Sequence, residues 1–223
     1  MDADIYVVGD IHGCLDDLER LMDEVQPDLH RHKLIFVGDY IDRGPKSKAV
    51  VDYILRLQKL YPPENIICLK GNHEAMFLDF LEGKEIGLFL FNGGLGTIQD
   101  YWGEGWEKQG ELLLPPEHEN FYRGLLNYYE IPGYILVHGG LLPGIPLAEQ
   151  QEEDLLWIRG EFIASAADFG AKVIFGHTPF RRPLMMSNKI GIDTGCVYGN
   201  FLTCLKLPRE EFFFAGPGLS IEG

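Results

Sequence analysis

Ile5-Tyr6-Val7-Val8-Gly9-Asp10-Ile11-His12-Gly13 is the stretch on which the fold turns. Four β-branched or aromatic residues form a strand-sized apolar run. The run then empties into a glycine turn that carries an aspartate and a histidine. Packing gives no reason for such residues at a strand exit, yet the pattern recurs. Leu34 to Val37 runs into Gly38-Asp39-Tyr40-Ile41-Asp42-Arg43-Gly44, and Ile66 to Leu69 leads to Gly71-Asn72-His73-Glu74. Val137 is followed by His138-Gly139-Gly140, and Lys172 to Phe175 by Gly176-His177-Thr178-Pro179. Between the first runs the period becomes helical. Leu15, Leu18, Leu21, Met22 and Val25 share a face that Pro27 ends. Val50, Ile54, Leu57 and Leu60 share another, with Ser47 as its expected N-cap and Pro62-Pro63 beyond it. Alternating strands and helices imply parallel pairing with right-handed crossovers. Functional groups in such sheets gather beyond the carboxyl ends of the strands. Asp10, His12, Asp39, Asn72, His138 and His177 are therefore expected on one rim.

Further along, a helix is expected from about 74 to 81. The pattern then loosens from 82 to 116, where glycines alternate with Tyr101, Trp102 and Trp106. This region is too aromatic for disorder, and it reads as a cap or insertion packed by its own rings. Strands are expected again at 131–137, 172–175, 190–193 and 202–207, which suggests a second sheet on the first. Residues 1–223 form a single domain in this reading, and the tail from Gly216 to Gly223 is expected to fray.

Composition excludes several classes. A formal net charge of −15 leaves no basic footprint for nucleic acid or for an anionic membrane. The chain has no run of 18 apolar residues and no basic start followed by an apolar core, so neither a span nor a signal peptide is expected. Cys14, Cys68, Cys196 and Cys204 lack paired spacing. They are expected as free thiols in a cytoplasmic protein, Cys14 being notable for its place beside the first motif. His30, His32 and His118 lie among charged residues and are expected at the surface.

Carboxylate, imidazole and amide oxygen together form a donor set for Mn, Fe, Zn or Ni rather than a calcium cage. A shared carboxylate holds two such ions roughly 3.5–4 Å apart, the spacing used in phosphoryl displacement. One buried histidine alone is more often a satisfied core residue. Three of them with Asp10 and Asp39 are not, because unpaired buried carboxylates cost several kcal/mol each.

The motifs GDIHG, GDYIDRG, GNHE, HGG and GHTP, with Ile192-Asp193-Thr194-Gly195 behind them, resemble the PPP family of metal-dependent serine/threonine protein phosphatases. The likeness is to its short bacterial and bacteriophage members, of the lambda phage type, and runs from about residue 4 to about residue 207. It implies an α/β fold, a four-layer αββα metallophosphoesterase sandwich with two mixed sheets. It further implies that Asp10 and His12 bind one divalent ion, that Asp39 bridges, and that Asn72, His138 and His177 complete a second site. Manganese is the expected ion in vitro. His73 would be the general acid, oriented by Asp42, while Arg43 and Arg159 hold the phosphoryl group. The substrate would be a phosphoprotein, attacked directly by a dimetal-bound hydroxide, with phosphotyrosine as a further substrate. A monomer is expected. Gly139 stands where many members have alanine, which leaves metal binding intact. Arg159 has a plainer reading as a solvated arginine at a helix end.

Two other readings remain open. Symmetrical diadenosine tetraphosphate hydrolases share these motifs; they tend to be longer and depart from the Asp42-Arg43-Gly44 form. A non-catalytic binding module would have lost a ligand or the acid, and none is missing.

Overall fold

The computed structural model describes residues 4–108 and 112–217, so Gly110 of the cap and residues 218–223 of the tail lie outside the described residues. The chain begins with β1 (Ile5–Val8), α1 (Leu15–Val25), β2 (Lys33–Phe36), α2 (Ser47–Leu60), β3 (Ile66–Cys68) and α3 (Asn72–Leu81). Next come α4 (Ile86–Phe89), a π turn (Leu90–Gly94), α5 (Leu95–Trp102) and α6 (Pro116–Arg123). The remainder is β4 (Tyr128–Ile131), β5 (Tyr134–Val137), α7 (Glu152–Trp157), α8 (Gly160–Ala164), β6 (Lys172–Phe175), β7 (Leu184–Met185), β8 (Lys189–Gly191), β9 (Leu202–Leu207) and β10 (Glu211–Ala215).

Two mixed sheets result, ordered β10-β9-β1-β2-β3 and β4-β5-β6-β8-β7. Strands β1, β2 and β3 are parallel and end level, with Val8 opposite Phe36 and Phe36 opposite Cys68. In the second sheet β5, β6 and β8 are likewise parallel. The period-2 alternation of each strand fixes the layers. Val7, Ile35, Leu136, Ile174 and Ile190 point into a buried seam between the sheets. Tyr6, Val8, Leu34 and Phe36 point the other way, onto α1, α2 and α3. Ile135, Val137 and Val173 pack with Phe162 of α8 and Leu155 of α7. Each central strand is thus buried on both faces, which is why its sequence is continuously apolar. The expected αββα sandwich is the observed one.

Differences from expectation are local. The run 131–137 is not one strand. Pro132-Gly133 makes a turn, with Gly133 at φ +84°, and β4 and β5 pair antiparallel across it. The short edge strand β7 and the aromatic strand β10 carry no alternation signal and were not expected. Ser47 is the first helical residue rather than the cap, because its hydroxyl is engaged elsewhere. His118 is buried, not at the surface. Its Nδ1 meets the Tyr101 hydroxyl at 2.6 Å and its Nε2 meets Asp52 at 2.9 Å, which ties α6 to α5 and α2. Within segment 82–116, residues 86–102 are helical, and Phe77 packs against Phe89, Tyr101 and Trp102 as an aromatic cluster.

Candidate metal centre

All six ligand-type residues are buried and meet at the strand exits. Asp10, after β1, accepts a hydrogen bond from the His177 backbone N–H at 2.9 Å, joining the exits of β1 and β6 across the two sheets. His12 donates from Nδ1 to the Ile41 carbonyl at 2.7 Å, and His138 from Nδ1 to the Val37 carbonyl at 2.9 Å. Each ring thereby keeps Nε2 for the centre, the usual support given to a metal-binding imidazole. His12 Nε2 lies 3.4 Å from one Asp39 oxygen, and His138 Nε2 lies 3.3 Å from the other. Asn72 Oδ1 is 3.0 Å from His138 Nε2.

Side-chain donors gather in two groups, His12–Asp39–His73 and Asp39–His138–His177, each with its donor atoms within 4.8 Å of one another. Asp39 is common to both. Asp10 Oδ1, His73 Nε2 and His177 Nε2 are buried with no hydrogen-bond partner. Burial and the charges of Asp193 and Asp39 push the Asp10 carboxyl well above its usual range. Asp39 is held well below that range: burial opposes ionisation, but His138 and His73 outweigh it. Orphaned donor atoms around a crowded set of carboxylates are the signature of a site built for cations. The residues present therefore fit a dimetal centre.

Backbone strain is concentrated here. His12, Asp39, Asp42, Arg43 and His177 all adopt positive φ, between +47° and +71°. Non-glycine residues rarely do so, and the cost is of order 1–3 kcal/mol each. Gly71 admits the turn that carries Asn72, since a Cβ there would run into the Asp39 carboxylate.

The proposed acid pair lies beside the ligands. His73 Nδ1 is 2.6 Å from Asp42 Oδ2, and the ring stands edge-on to His12 at 4.6 Å. Burial pushes each partner toward its uncharged form, raising Asp42 to about 7 and lowering His73 well below the usual range. Arg43 Nη1 meets His12 Nε2 at 2.7 Å. Arg159 lies between two helices, one residue past the C-cap of α7 and at the N-cap position of α8, with its guanidinium 3.5 Å from both His177 Nδ1 and Thr178 Oγ1.

Four supporting residues carried no assigned role in the sequence reading. Glu74 accepts the backbone N–H groups of Asp39, Tyr40 and Gly71, each at 2.9 Å, and so shapes the Asp39 loop. Its place three residues after Gly71, in the first helical turn, was the available signal. Thr97 of α5 donates to Asp42 Oδ1 at 2.6 Å, while the Asp42 N–H donates to Ser47 and Thr97 at 3.0 Å each. The segment Asn92-Gly93-Gly94 also acquires a position, since the Gly93 carbonyl accepts the Arg43 N–H at 3.4 Å. Asp193 is buried beside Asp10, in the quoted Ile192-Asp193-Thr194-Gly195. Outside the centre, Cys14, Asp17 and Cys196 bring their side-chain donors within 4.8 Å of one another, and all four cysteines are free.

The calcineurin-like phosphoesterase family model matches residues 3–209. The chain belongs to that family. A bis(5'-nucleosyl)-tetraphosphatase PrpE [asymmetrical] of Bacillus velezensis is 30% identical over 92% of this chain and 89% of its own length. Its counterpart in Oceanobacillus iheyensis is 28% identical, covering 93% and 90%. Serine/threonine-protein phosphatase 1 of Salmonella typhimurium is 31% identical, covering 91% of each chain. Among solved structures, that of a candidate diadenosine tetraphosphatase superposes with a TM-score of 0.74 at 24% identity, covering 97% and 94%. Such a likeness speaks for the fold alone. The family implies a dimetal phosphoesterase centre, and the donors described above suit one.

Proposed function

We propose that this enzyme hydrolyses bis(5'-nucleosyl) tetraphosphates asymmetrically, to a nucleoside triphosphate and a nucleoside monophosphate. The observation that carries this reading is end-to-end similarity: relatives named asymmetrical tetraphosphatases align with 92–93% of the chain and with 89–90% of their own lengths. The symmetrical cleavage weighed from the motifs gives way to the asymmetrical one on the same ground. The phosphoprotein reading passes to second place.

Asp10 and His12 would hold one divalent ion and Asn72, His138 and His177 another, with Asp39 between them. Manganese is the first candidate, with iron, zinc or nickel as others. Such a pair supplies Lewis acidity toward phosphoryl oxygens and an acidified water. The chain's own groups do the rest. Arg43, beside His12, and Arg159, beside His177, would offer planar donor forks to phosphoryl oxygens. His73, with Nδ1 committed to Asp42, keeps Nε2 for the departing oxygen.

Serine/threonine phosphatase activity has its own support in the Salmonella relative and in the His73–Asp42 pair, since a proton donor matters most for an alkoxide leaving group. The test is incubation with diadenosine tetraphosphate and manganese, with products resolved by anion-exchange chromatography. ATP and AMP in equal amounts are expected. Two ADP, or a kcat/KM higher on a phosphoserine peptide than on the dinucleotide, would overturn the proposal.

A further inference from the structure

Beside the metal centre lies an open cleft of about 620 Å³, lined by Pro179, Phe180, Arg181, Arg182, Tyr198 and Phe201 among others. Its size is that of a small-molecule site. Both walls continue directly from residues of the centre. One is the segment after His177, and the other follows Asp193. The Phe180 N–H donates to the Asp193 carbonyl at 3.0 Å and joins the two walls. Tyr198 stands at the mouth, with its ring 5.9 Å from the Arg43 guanidinium carbon, so the cleft opens onto the proposed phosphoryl site.

The lining chemistry is specific. Acidic residues outnumber basic ones 34 to 19 in this chain. Arg181 and Arg182 nevertheless sit side by side at the rim, exposed, and among the described residues neither guanidinium has a hydrogen-bonded or ionic partner. Among the residues lining the cleft there is no carboxylate. Two free guanidinium groups next to the exposed ring of Tyr198 match a ligand with several phosphates and a planar base.

We infer that this cleft is the subsite for the polyphosphate arm and nucleoside that remain beyond the scissile bond. Arg181 and Arg182 would pair with the distal phosphates, and Tyr198 would offer a stacking face to the base. The inference rests on the tetraphosphatase reading and adds to it which residues recognise the dinucleotide.

The test compares wild type with Arg181→Gln/Arg182→Gln and Arg181→Glu/Arg182→Glu, all loaded with manganese. Diadenosine tetraphosphate is measured against p-nitrophenyl phosphate, which has no distal phosphates, and ATP is titrated as an inhibitor of the latter reaction. For the glutamine pair, KM for the dinucleotide should rise at least about tenfold and ATP inhibition should weaken by a similar factor. The glutamate pair should lose more. kcat/KM on p-nitrophenyl phosphate should stay within about twofold in both. An unchanged dinucleotide KM in the variants, with wild type active on it, overturns the subsite and leaves the tetraphosphatase reading standing. Equal losses on both substrates also overturn it, since the arginines would then serve the centre itself. A wild type inactive on the dinucleotide fails the reading first, and the subsite with it.

Discussion

His73 has one imidazole nitrogen committed and one free. Nδ1 is held by Asp42, itself held by Thr97 and Ser47, while Nε2 is buried without a partner. A ring so oriented suits proton delivery, and the demand for that proton depends on the leaving group. Phenol leaves poorly, whereas p-nitrophenol and a nucleoside triphosphate leave readily. For His73→Asn we expect kcat on phenyl phosphate to fall by about 10²–10⁴, the range of general acid catalysis. On p-nitrophenyl phosphate the loss should be within about tenfold. Parallel losses on the two aryl esters would remove His73 from the acid role and leave it as a structural or ligating group.

The elements that support the centre differ in how plainly the sequence announces them. Exits of β1, β2, β3, β5 and β6 were legible because apolar runs end there in groups that packing does not use. Asp10, His12, Asp39, Asn72, His138 and His177 all lie where that pattern places them. The contribution of α5 was not legible, since Thr97 reaches Asp42 across 55 positions from a segment without clear period. His118 was misread for a related reason. Its neighbours in sequence are polar, but α2 and α5 cover it in space. Burial lowers its pKa from 6.5, with Asp52 pulling the other way. The folded protein therefore takes up this proton less readily than the unfolded chain. The stability associated with neutral His118 is complete above pH 6.5 and is lost as pH falls below it. Melting temperature followed from pH 7.5 to pH 5.5 should decline more steeply in the wild type than in His118→Gln. Superimposable slopes would show that this histidine does not couple the cap to acid.

At the scale of the whole molecule, the centre is where the two sheets are tied at their rim. Asp10, His12, Asp39 and Asn72 come from the first sheet, and His138 and His177 from the second. Direct cross-ties there include Asp10 to the His177 N–H, Val37 to His138 and Asn72 to His138. Between the strands the seam is apolar packing among Val7, Ile35, Leu136, Ile174 and Ile190, which has no directional preference. Cations at the rim would bind the folded sandwich and not the open chain, so they should stabilise it as a whole. Carboxylates that crowd Asp10 would also lose their mutual repulsion. At manganese about a hundred times its dissociation constant, one site contributes about 2.7 kcal/mol. For a chain of this size each kcal/mol moves the melting temperature by roughly 2–4 °C. Removing the metal with a chelator should therefore lower the wild-type midpoint by about 5–10 °C, reversibly on adding manganese back. Asp39→Asn, lacking the charge shared by both donor groups, should melt at nearly the same temperature with and without manganese. A wild-type midpoint indifferent to chelation would mean that the buried donors do not hold a cation in the folded protein, whatever their geometry.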